Sequence, residues 1–89
     1  MGSHVDSDLS DEAKRRLTSA LVAVFRRAPA NISANLTLGQ IGGWDSMNAV
    51  TFTFELEQAF DVTLGETTFT AQQTIGDVLN TLREKGASF

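Results

Sequence analysis

No cysteine occurs in the chain, and its one histidine is His4. The first absence excludes disulfides, thiolate zinc sites and a sulfur nucleophile. The second leaves no side chain to serve as the usual base for a serine nucleophile, because His4 belongs to a segment that reads as an expression remnant. Long apolar runs are also missing; none approaches the roughly 20 residues of a membrane span, so no membrane insertion is expected. Basic residues are missing from the middle. All seven Lys and Arg lie in Lys14–Arg27 or Arg83–Lys85. Nucleic-acid binding requires clustered cations against phosphates, and the central region has the opposite sign.

What fills that region is acid: Asp45, Glu55, Glu57, Asp61, Glu66 and Asp77. Such a surface favours encounter with basic patches on protein partners, besides keeping the domain in solution. No window holds the alternating oxygen ligands of an EF-hand loop, and no metal site is expected. The length of 89 residues suits one small domain. Residues 1–8 are expected to be a remnant and disordered N-terminus, 9–86 the domain and 87–89 a frayed end. With no recognisable secretory signal, a cytoplasmic, monomeric protein is the expectation.

The helical period appears three times. Ser10, followed by Asp11 and Glu12, reads as a helix start. Ala13, Leu17, Ala20, Leu21, Val24 and Ala28 follow at helical spacing until Pro29 stops them. Lys14, Arg15 and Arg16 read as that helix's solvated face. Residues 30–44 form a long loop, expected to be pinned by Ile32, Leu36, Leu38 and Ile41 dipping into the core.

A second helix is expected over 46–60, with two apolar stripes in place of one. Ala49, Phe52, Leu56, Ala59 and Phe60 share one side, and Met47, Val50 and Phe54 the other. Asn48, Thr51, Glu55 and Gln58 fill one flank between them, Thr53 and Glu57 the other. A surface helix needs only one buried stripe. The second stripe is either further core, lining an apolar pocket, or a surface kept for a partner.

Glu66 to Ala71 reads as a short helical turn around Phe69. Thr74 then caps a last helix, with Asp77 completing a capping box. Ile75, Val78, Leu79 and Leu82 form its stripe, and Gly86 lies just past its end. The fold expected is all-α: a small right-handed antiparallel bundle of three main helices plus one short helix, with the long loop between helices I and II. A core this modest leaves room for helices to part slightly and shelter an apolar chain.

Gly43-Trp44-Asp45-Ser46-Met47 carries the most chemistry. Ser46 falls on the first turn of the second helix, where free N–H groups and partial positive charge suit a phosphate ester. The plainer alternative is that Asp45 or Ser46 simply caps the helix. Trp44 either packs over the loop as core or contacts a ligand or partner. An Asp-Ser pair after glycine also resembles the G-D-S-L hydrolases. A triad cannot be assembled without histidine, and Lys14 and Lys85 fall on faces expected to be solvated.

Ile41-Gly42-Gly43-Trp44-Asp45-Ser46-Met47 resembles the L-G-x-D-S-L signature of acyl carrier proteins. Phe54-Glu55-Leu56-Glu57-Gln58-Ala59-Phe60 is similar to that family's later L-E-x-x-F segment, and Val62-Thr63-Leu64 to the stretch after helix II. Thr74-Ile75-Gly76-Asp77-Val78 is similar to the start of its last helix. The resemblance spans roughly residues 10–85. It implies that Ser46 carries 4′-phosphopantetheine added from coenzyme A by a phosphopantetheinyl transferase, with Asp45, Trp44 and Met47 beside it. Asp45 would help hold a divalent ion transiently during that transfer. It implies a non-catalytic carrier that tethers acyl groups as thioesters and presents them to acyl-loading, condensing and modifying enzymes. Partners would dock on Met47, Val50, Thr51, Phe54, Glu55 and Glu57, since helix II is the family's usual recognition helix. The chain departs from the common pattern at Trp44, at Met47 in place of leucine, and at Asn48 and Thr51 in place of acids. Those departures lean toward polyketide or other specialised metabolism over fatty acid synthesis. An aminoacyl or peptidyl carrier, or a helical interaction domain that carries nothing, are the alternatives.

Overall fold

A computed structural model describes residues 11–27, 29 and 32–89. Among them are three α-helices and no strand: α1 (Asp11–Phe25), α2 (Ser46–Phe60) and α3 (Ile75–Glu84). The expected Ser10 cap, Ala28 and the 1–8 segment lie outside the described residues.

Asp11 and Glu12 stand at the positive end of α1, where acids are favoured. Glu12 pairs with Arg15 and, at 2.7 Å, with Arg16 one turn on. These pairs are partly exposed and contribute little to stability. The opposite stripe, Ala13, Leu17, Ala20, Leu21 and Phe25, is buried. Helix α1 ends at Phe25, not at Pro29. Arg26 takes up the left-handed conformation (φ 63°), which breaks the ladder before the proline acts. The early ending turns Phe25 toward the loop ahead of α2.

Helix α2 runs over the expected residues and buries Ala49, Phe52, Leu56 and Phe60. Thr53, expected on a polar flank, is buried as well. Its hydroxyl donates to the Ala49 carbonyl at 3.0 Å, which satisfies it without a tertiary partner. Asp61 closes the helix in the left-handed region, its N–H donating to the Glu57 carbonyl.

Helix α3 starts with the expected capping box: the Asp77 N–H donates to Thr74 Oγ1 at 3.1 Å, and the Thr74 N–H to Asp77 Oδ2 at 3.0 Å. Ile75, Val78, Leu79 and Leu82 face the core. At its far end the Ala87 N–H donates to the Leu82 carbonyl and the Gly86 N–H to that of Arg83. That pairing is a Schellman closure. Residues 87–89, expected to fray, instead fold back: Phe89 packs edge-on to Phe60 at 5.2 Å between ring centroids, with Arg83 over its face.

The short helix is present but elsewhere. Residues 66–71 form no helix; a 3-10 turn occupies Leu38–Ile41 inside the long loop. Burial explains both. Phe69 sinks into the core from a segment of no regular structure, while Leu38 and Ile41 anchor the 3-10 turn to the same core. Ile32 and Leu36 pack partly buried against the same core. The loop is laced to the approach to α3 by four backbone hydrogen bonds, from Leu38, Gly39, Ile75 and Gly76 to Gln73, Ala71, Leu36 and Ala34. A Cβ on Gly39 would stand 3.1 Å from that of Ala71, so glycine lets the two strings of backbone meet without either giving way.

Candidate functional site

The site lies where that laced loop delivers the chain into α2. Gly42 and Gly43 both have positive φ (92° and 79°), a turn that side chains with a Cβ rarely adopt. Beyond them Trp44 is half-buried and stacked on Phe25, with ring centroids 5.8 Å apart and planes at 24°. Its other side meets Phe52 edge-on at 5.7 Å, and Phe52 in turn meets Phe69 at 6.3 Å. Trp44 therefore takes the core reading. It fixes the entry to α2 from beneath, and Phe25, which the sequence reading passed over, is its partner.

Asp45 is the cap. Its Oδ1 accepts the Asn48 N–H at 2.8 Å, and its carbonyl begins the helical ladder by accepting from Ala49. Asn48 adds a second tie, its side-chain amide donating to the Gly43 carbonyl at 2.7 Å. A polar residue three positions past the cap was the available signal for that tie. Ser46 is thus relieved of capping. It is exposed at the first helical position, and its hydroxyl makes no hydrogen bond among the described residues. The Ser46 and Met47 N–H groups are likewise unpaired there. An anion esterified at Ser46 meets free donors and the positive end of a four-turn helix.

Replacing Asp45 with alanine removes the cap, and the expected cost is about 1 kcal/mol of folding stability. Urea unfolding followed by circular dichroism measures it. A change within about 0.3 kcal/mol would contradict the capping assignment.

Three expected docking residues stand fully out on one face of α2: Met47 at 76% exposed, Val50 at 61% and Phe54 at 57%. A large apolar side chain that remains this open is not core. Thr51 is exposed beside them, its hydroxyl returned to the Met47 carbonyl at 3.1 Å, and Glu55 is half-buried on the flank. Glu57 has a different position from its neighbours. Its Oε2 turns to the loop after α2 and accepts the Leu64 N–H at 2.6 Å and the Gly65 N–H at 3.3 Å. That carboxylate holds Leu64 in the core and has one oxygen already engaged.

An open groove of about 450 Å³ begins at Ser46, between α2 and the 68–71 segment. Trp44, Ala49 and Val50 form one wall, and Thr68, Phe69 and Thr70 the other. A cation reaches the turn from just past α1: Arg27 Nη1 would stand 3.7 Å from a Cβ on Gly42. No group of three or more His, Cys, Asp or Glu able to hold a metal ion occurs among the described residues. Among the described residues no helix is long and apolar enough to cross a membrane.

Ser46 is therefore an exposed serine at the capped start of the second of three helices. The phosphopantetheine attachment site family matches residues 15–82, well over half of the chain. The chain belongs to this family, whose domains bind 4′-phosphopantetheine covalently. Comparison with curated proteins and with solved structures gave no match.

Proposed function

We propose that Ser46 is the attachment residue and that the protein is an acyl carrier. The observation that carries this reading is the division of labour at the start of α2: Asp45 caps the helix, and Ser46 is left exposed and unbonded. Esterification uses coenzyme A and a separate phosphopantetheinyl transferase. The Ser46 hydroxyl oxygen bonds to the phosphorus on the pantetheine side of the pyrophosphate, the hydroxyl proton is released, and the adenosine half leaves. The bound group supplies a thiol, which forms thioesters with acyl cargo and is otherwise lacking in this cysteine-free chain.

The chain's own residues do the rest. The unpaired N–H groups at Ser46 and Met47 would be free to hold the ester phosphate, and Trp44 braces the turn through Phe25 and Phe52. Tethering raises the effective concentration of cargo at each partner's active site without releasing an intermediate. Met47, Val50 and Phe54 form the docking strip, with Thr51 and Glu55 at its margin and the free oxygen of Glu57 at its end. Apolar anchors beside an acidic flank suit acyl-loading, condensing and modifying enzymes that present an apolar hollow rimmed by Lys or Arg. The pathway is fatty acid, polyketide or related biosynthesis, with the non-acidic Asn48 and Thr51 favouring a specialised route. Catalysis belongs to those partners, and the protein works in the cytoplasm as a monomer.

Intact mass after incubation with coenzyme A, magnesium and a broad-specificity transferase tests the reading. One phosphopantetheine addition is expected. An unchanged mass on a folded sample would favour an interaction domain that carries nothing. Phe54→Ala is expected to raise the KM of the transferase for the carrier about tenfold, since a buried aromatic anchor is worth about 1–2 kcal/mol. An unchanged KM would remove Phe54 from the docking strip.

A further inference from the structure

The groove at Ser46 does not stop at the first turn of α2. A second hollow of about 180 Å³ continues it between the Val50–Glu57 flank and the Gly65–Thr68 segment, and the two share Val50 and Thr68. Lined end to end through those two residues, the hollows mark a surface path from Ser46 to Glu57. Along the helix the eleven steps from Ser46 to Glu57 rise about 16 Å. An arm made of a phosphate and three units joined by two amide bonds, the last ending in a thiol, is of comparable reach, each unit being slightly longer than a peptide residue of about 3.5 Å.

The chemistry of the walls matches such an arm. Thr67, Thr68 and Thr70 line one side, and none of their hydroxyls makes a hydrogen bond among the described residues. Free hydroxyls suit amide N–H and carbonyl groups, which can be met from either side because a hydroxyl both donates and accepts. Val50 and Ala49 opposite provide apolar contact for methyl and methylene groups.

The way inward is closed. Phe69, in the groove wall, packs against Phe52 behind it, both buried, and Trp44 is wedged between Phe52 and Phe25. Leu56, Val78 and Leu82 beyond them are fully buried. An alkyl chain entering the bundle from Ser46 must separate packed aromatic rings, each of which loses its contacts as it moves.

We propose that, on the carrier reading, the arm lies along this threonine-walled surface channel and that the aromatic stack excludes cargo from the core. The cargo class that fits is short or oxygen-bearing acyl groups, which tolerate solvent, and not long alkyl chains, which need a sheltered interior. This reverses the expectation that the helices part to shelter a chain.

The test compares amide and methyl resonances of the apo, holo, acetyl and octanoyl forms of the full chain, each verified by intact mass. Attachment of the arm is expected to shift Val50, Thr68 and Thr70 and to give nuclear Overhauser contacts between arm protons and the Val50 and Thr68 methyls. Lengthening acetyl to octanoyl is expected to leave Leu56, Val78 and Leu82 unmoved. Shifts at those three residues that grow with chain length would overturn the exclusion of cargo. An arm without contacts to Val50 or Thr68 would overturn the channel. In Thr68→Trp, a substitution at an exposed site that fills the channel, compared as loaded protein verified by intact mass, the contacts are expected to vanish; contacts that survive it would place the arm elsewhere. Failure of the mass to change at all would instead overturn the carrier reading, and this proposal with it.

Discussion

Phe52→Ala is expected to cost about 3–5 kcal/mol and to lower Tm by about 20 °C. Phe52 is fully buried and touches three other rings, Phe25, Trp44 and Phe69. Truncation removes the centre of that stack, losing both the transfer energy of the ring and its edge-on contacts, which are worth about 1 kcal/mol each. A domain of this length has a total stability of order 5–10 kcal/mol, so the loss is a large share of it. Phe54, two residues on, supplies the control. It is the same residue type on the same helix, but its ring is mostly in solvent. Phe54→Ala is expected to stay within about 0.5 kcal/mol of the parent. Equal losses from the two substitutions would mean that α2 has no free face, and the docking strip would be withdrawn.

Ser46→Ala is expected to do the reverse: loss of phosphopantetheine addition with folding stability unchanged to within about 0.5 kcal/mol. Serine at the start of a helix is ordinarily a stability residue, and its removal typically costs about 1 kcal/mol. Here the cap bond belongs to Asp45, and Ser46 has nothing to lose except its hydroxyl. The pair Asp45→Ala and Ser46→Ala therefore separates structure from function at adjacent positions. If Ser46→Ala destabilised the domain as much as Asp45→Ala, the serine would be sharing the cap and would not be free for modification.

Helical period and cap chemistry made much of this legible in advance. Both act over four residues or fewer, so they are written locally: the two stripes of α2, the Thr74–Asp77 box and the position of Ser46 all follow from spacing. What was not legible depends on contacts between distant segments. The end of α1 looked as though Pro29 would set it, yet Arg26 ends it sooner because Phe25 is drawn to Trp44, nineteen residues later in the chain. Residues 66–71 carry no helix because Phe69 is needed in the core and the adjoining backbone pairs with the long loop. Glu57 looked like a surface acid and instead binds two loop N–H groups. A carboxylate seven residues before its partner leaves no periodic signature. The groove was invisible for the same reason, since one wall comes from α2 and the other from a segment of no regular structure.

Fragmentation of the loaded protein after proteolysis tests the central assignment most directly, because it places the added group on a single side chain. The account predicts phosphopantetheine on the peptide containing Trp44-Asp45-Ser46-Met47, with the modification localised to Ser46. The same group found on another serine or threonine, or retained in Ser46→Ala, would contradict it.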